Sequence, residues 1–192
     1  MTTQELFDFA QNRYRYARSL VTEMIEFVRK SQPNFNEKNS YFQFDAIVQF
    51  ILLKVALADG KFLEIEGEFI DQITDSYDIL QLFENHDDSY NWSFAGAHLT
   101  FNQVESLVNK VEKRAREHML DFTDLFAEID LVDRSKNYIQ EMYECVNDIA
   151  LAFIMADGKA TAKEREIAIE VVRDCLTEPW LAKQKQLISK CS

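Results

Sequence analysis

The stretch Ile51-Leu-Leu-Lys-Val-Ala-Leu-Ala-Asp-Gly-Lys61 returns 98 residues later as Ile149-Ala-Leu-Ala-Phe-Ile-Met-Ala-Asp-Gly-Lys159. The register holds beyond the turn: Glu66 falls on Glu164, Glu68 on Glu166, Phe69 on Ile167 and Ile73 on Val171. Each copy reads as an apolar helix, an Asp-Gly-Lys turn and an amphipathic helix that opens on glutamates. Such a helix pair cannot bury both of its apolar faces alone, so the copies are expected to pack together about an approximate two-fold axis. Residues 1–192 are read as one domain, with the repeats at about 44–75 and 142–176. The fold class that follows is all-α, a helical bundle with two pseudo-symmetric helix–turn–helix repeats.

The remaining chain agrees with that class. Only 4 glycines and 2 prolines occur in 192 residues, too few for the many turns of a sandwich or barrel. Apolar positions at threes and fours predict a first helix over Thr3–Lys30, closed by Ser31-Gln-Pro33, because the residue before a proline avoids the helical conformation. Ser40 and Gln43 have the spacing of a capping box and predict a second helix from Ser40 to Ala58, broad in its apolar face and therefore central. A third begins near Leu63–Ile65 and breaks at Asp75-Ser76, and Asn85–Leu99 reads as irregular. Thr100 and Gln103 open the longest helix. There Phe101, Val104, Val108, Val111, Ala115, His118, Phe122, Leu125 and Ile129 form a heptad seam, which ends at Leu131–Ser135. Helices over Ser135–Ala156, from Thr161 and from Thr177-Glu-Pro-Trp180 complete the reading.

Charge narrows the partners. With 33 acidic against 21 basic residues the net charge is −12. Such a chain lacks the cations that neutralise phosphates, so nucleic acid and anionic lipid are not expected. Cations and basic protein surfaces suit this field. Cys145, Cys175 and Cys191 are an odd, unpaired set and read as reduced thiols, the first two in helix interiors. No secretory leader and no membrane-spanning run is present, so the expected compartment is the cytoplasm.

The repeated unit Asp-Gly-Lys-x-x-x-x-Glu shares the spacing of positions 5, 6 and 12 of an EF-hand loop. Positions 1 and 3 would then be Val55 and Leu57, or Phe153 and Met155, which cannot ligate calcium, so an EF-hand is rejected. Capping explains much of the motif: Gly ends one helix, Asp bonds the turn, and Thr161 with Glu164 caps the next. In the first copy Leu63 replaces the hydroxyl residue, so that cap is weaker. Among the other residues, His86, His98 and His118 form no ligand pattern, and His118 in the seam reads as a hydrogen-bonded core or interface histidine. No phosphate loop, nucleophile elbow or Cys-x-x-Cys occurs, and no enzyme is expected. Asp87, Asp88 and Trp92 cluster acids with an aromatic as a candidate partner surface.

An apolar helix ending in Ala-Asp-Gly-Lys and followed by a Glu-opened helix, present twice, resembles the TerB-like family of tellurite-resistance proteins. A related module occurs at the membrane-proximal end of certain DnaJ-type co-chaperones. The likeness covers Ile51–Ile73 and Ile149–Val172. It implies an all-helical, non-enzymatic, stress-associated protein with a divalent-cation site that maps onto Asp59, Glu66, Asp157 and Glu164. The alternative is a helical adaptor without metal, whose seam or Trp92 segment would meet a partner protein or a second copy.

Overall fold

In the computed structural model, residues 2–74, 93–158 and 160–190 are described, along with all their side chains except that of Asp59. The expected break at Asp75, His86, the Asp87–Asp88–Trp92 cluster and Cys191 lie outside them. The described residues form α-helices and no strand, as the punctuation of the sequence predicts. No helix among them is long and apolar enough to cross a membrane.

The second helix, α2 (Glu37–Ala56), is the axis of the molecule. Residues on all sides of it are buried, among them Phe44, Ile47, Val48, Phe50, Ile51, Leu52 and Val55. A helix apolar all round must be surrounded. Here α1 (Thr3–Arg29), α3 (Glu64–Ile73), α4 (Phe101–Val132), α5 (Tyr138–Met155) and α6 (Ala162–Val172) all pack on it. The two repeats, α2–α3 and α5–α6, share one continuous core with α1 and α4. Phe69 of the first meets Phe153 of the second edge-to-face, with ring centroids 5.4 Å apart.

Three antiparallel pairings frame this core. Along α1 and α5, Arg13 pairs with Asp148 at 2.8 Å and Glu23 with Lys136, which precedes α5, at 2.6 Å. Partner numbers fall as those of α1 rise, so the helices run in opposite directions. Lys54 to Glu112 and Gln43 to His118 do the same for α2 and α4. The last helix, α7 (Glu178–Lys190), lies along α4 through Trp180 to Asp130 and Gln184 to the Ala127 carbonyl.

Burial requires polar groups to be paired, and in α2 Gln43, Asp45 and Gln49 are, whereas the buried Ser40 hydroxyl has no partner among the described residues. Asp45, 2% exposed, accepts from the Tyr14 hydroxyl and from Arg18 at 3.1 Å. Gln49 donates to Thr74 at 2.9 Å. These links tie α1 and α3 to the central helix, and periodicity alone gives no sign of them.

Four local expectations are corrected. The second helix starts at Glu37 behind Asn36, one turn before Ser40. Ser40 is consequently buried, and Gln43 donates to His118 rather than capping. The fifth helix starts at Tyr138, where Asn137 accepts from the Gln140 N–H at 3.2 Å. The α4 seam follows Val104, Val108, Val111 and Ala115 as expected, then passes to Met119, Phe122, Phe126 and Ile129. A straight helix drifts from a strict heptad, which leaves His118 and Leu125 half-buried at the margin of the seam. Finally, no break separates the last two helices: a π-turn over Arg173–Thr177 joins α6 to α7. Pro179 cannot donate to a carbonyl one turn back and crowds it. The wider π-turn accommodates the proline without ending the helix.

Candidate functional site

Both acidic turns have the same construction. Gly60 and Gly158 each adopt φ +79, the left-handed conformation that closes a helix and that side chains oppose. Five residues past the lysine position of each turn comes a glutamate that bends back over the following helix start. Glu66 accepts from the Leu63 N–H at 2.6 Å. Glu164 accepts from the Thr161 N–H, and the Thr161 hydroxyl oxygen accepts in turn from the Glu164 N–H at 3.2 Å. The second copy therefore has a complete capping box. The first has half of one, because the Leu63 side chain offers no acceptor.

The two turns meet. A small pocket of about 10 Å³ is lined by Val55, Ala56, Glu66, Phe153, Ile154, Asp157 and Glu164. At the 98-residue offset, Val55 matches Phe153, Ala56 matches Ile154, and Glu66 matches Glu164. Each copy thus gives the same positions to one shared hollow. The counterpart of Asp157 at this offset is Asp59, whose side chain is outside the described ones. The backbone of Asp59 ends the 3-10 turn Leu57–Asp59, on which α6 packs. Three of the four residues expected at a cation site are brought together.

Their carboxylate oxygens are the ligand type that hard cations take. Each glutamate bonds its own helix start through one carboxylate oxygen. The hollow has room for about one water-sized sphere, and helix-closing apolar residues form its floor. Among the described residues no group of three or more His, Cys, Asp or Glu is close enough to hold a metal ion. Completing a site therefore calls on Asp59, backbone carbonyls or water, which oxygen-liganded cations readily accept.

A second region escaped sequence reasoning. At the end of α4 the Asp130 carboxylate accepts from Tyr138 N–H at 2.7 Å, Ile139 N–H at 3.2 Å and the Trp180 indole at 3.1 Å. It caps α5 and holds α7. Burial pushes its carboxyl above the usual range, against the lowering effect of those three donors. Beside it lies a cleft of about 530 Å³. The sequence signal was there, since Trp180 stands near a proline and Asp130 precedes a helix start, but no spacing rule connects residues 50 apart.

A third hollow, of about 190 Å³, lies between Phe62, Glu64, Phe94 and His98. Asp71 accepts from the Phe94 and Ala95 N–H groups at 2.9 and 3.0 Å and so fastens this turn to α3. The two cysteines among the described residues are buried, and burial pushes the Cys145 thiol up to about 11 and that of Cys175 to about 12. Nucleophilic thiols need the opposite shift.

The sequence matches no family model, no curated protein and no solved structure.

Proposed function

We propose that this chain is a TerB-like, non-enzymatic stress-associated protein that binds one divalent cation between its two acidic turns. The observation that supports this reading is the shared hollow, to which both copies contribute equivalent residues and which holds Glu66, Asp157 and Glu164. Duplication alone would be served by two separate capped turns on the surface. Oxygen ligands, a one-ion volume and a strongly acidic chain favour a hard cation such as Mg²⁺, Ca²⁺ or Mn²⁺ over a soft one. The ion would pin the ends of α2 and α5 together and so present the surrounding helices to a protein partner.

A second reading has its own support. The glutamates already serve as caps, and large apolar side chains stand exposed at Leu120, Val132 and Ile188. These features suit a helical adaptor that holds no metal.

Thermal unfolding with Mg²⁺, Ca²⁺, Mn²⁺ or Zn²⁺ separates the two, with an Asp59→Ala/Asp157→Ala variant as control. A cation that binds only the folded state at a hundredfold excess over its Kd adds about 2.7 kcal/mol. A raised midpoint is expected in the natural chain and not in the variant. Unmoved midpoints for every ion would leave the adaptor.

A further inference from the structure

The cleft beside Asp130 is independent of the acidic turns and carries its own chemistry. It lies between the end of α4, the following loop over residues 133–137, and α7. Leu131, Trp180 and Ile188 give it apolar walls. The Trp180 ring is held in orientation by its bond to Asp130, and Ile188 is 56% exposed. At about 530 Å³ the cleft has the size of pockets that enclose small molecules.

Its hydrogen-bonding capacity is one-sided. Every carboxylate oxygen in it already accepts a bond. Asp130 is occupied by Tyr138, Ile139 and Trp180. Asp133 is occupied by the Ser135 N–H at 2.9 Å and the Tyr138 hydroxyl at 3.0 Å. Gln184 spends one amide N–H on the Ala127 carbonyl and keeps the other and its oxygen. The Lys136 ammonium is held by Glu23 at 2.6 Å. Two side chains keep their whole donor group. Arg134 is exposed and makes no ion pair or hydrogen bond with the described residues, and Asn137 uses its side-chain oxygen as a cap and so keeps its NH₂ group. A guanidinium offers a planar fork that matches a carboxylate.

We propose that this cleft binds a small organic carboxylate, its apolar body against Trp180, Leu131 and Ile188 and its carboxylate on Arg134 and the Asn137 amide. The chain's net charge of −12 opposes any anion at long range. At about 0.15 M salt that field is screened beyond about 8 Å; inside the cleft the Asp130 and Asp133 charges are offset by Arg134 and Lys136, and the position of the donors then decides.

The test follows the Trp180 indole N–H by NMR while phenylbutyrate is titrated into the full chain, with phenylbutanol as the neutral comparison. The indole resonance is assigned from a Trp180→Phe sample. The account expects a saturable shift with the carboxylate. It expects binding about tenfold weaker for the alcohol, and about tenfold weaker for the carboxylate with Arg134→Ala, or about 1.4 kcal/mol. Arg134 is exposed, so an unchanged unfolding midpoint shows that the variant is folded. Equal binding of alcohol and carboxylate, indifference to Arg134→Ala, or no saturable shift would each overturn the proposal.

Discussion

Gly67 shows how a single residue sets the packing around the first repeat. It lies inside α3, where alanine is ordinarily better by about 1 kcal/mol. A Cβ built there would stand 2.8 Å from the Ala95 backbone nitrogen and 2.9 Å from the Phe94 carbonyl carbon. Backbone cannot swing aside as a flexible side chain can, and Asp71 holds this stretch by two hydrogen bonds. Gly67→Ala is therefore expected to destabilise by about 1–3 kcal/mol, the usual cost of overpacking. Denaturant unfolding checks the sign, and a gain in stability would show that the turn is free to move. No periodicity rule could have found this contact, because it depends on where a segment 27 residues away returns. Gly60 and Gly158 were legible for the opposite reason: a glycine just past an apolar helix is a local signal, and both take the left-handed conformation.

Elements were read best where local chemistry decides them. Thr161 with Glu164, Thr100 with Gln103 and the proline after α1 set boundaries through their own hydrogen bonds and sterics. They failed where a distant element competed. Ser40 has the right spacing for a cap, yet it is buried, and its helix begins one turn earlier behind Asn36. Pairings between helices were equally out of reach, and the link from α2 to α4 shows what they contribute. Lys54 and Arg116 both bond Glu112, at 3.0 and 2.8 Å, and hold its carboxyl below its ordinary 4.5. A depressed carboxyl stabilises the fold above its unfolded pKa and loses that contribution as pH falls through the folded one. Glu112 is partly exposed, so the effect is about 0.2–1 kcal/mol. The stability gap between the natural chain and Glu112→Gln is expected at neutral pH and should close as pH drops well below 4.5. A gap that grows in acid would contradict this assignment.

At the scale of the molecule, the duplication is what the structure turns on. The offset in sequence implied that two helix pairs would share a core, and Phe69 on Phe153 joins them. It named the acidic residues, and Glu66, Asp157 and Glu164 line one hollow. The capping of each following helix start by its glutamate was legible too, and both glutamates make that bond. The offset could not reveal the cleft at Trp180, which is made by elements outside the repeat. The central claim is that two copies build one site, and not one site each. Counting bound Mn²⁺ by electron paramagnetic resonance tests it most directly. The account predicts one Mn²⁺ per chain, lost on either Asp59→Ala or Asp157→Ala alone. Two ions per chain, each removed by only one substitution, or no bound ion at all, would contradict it.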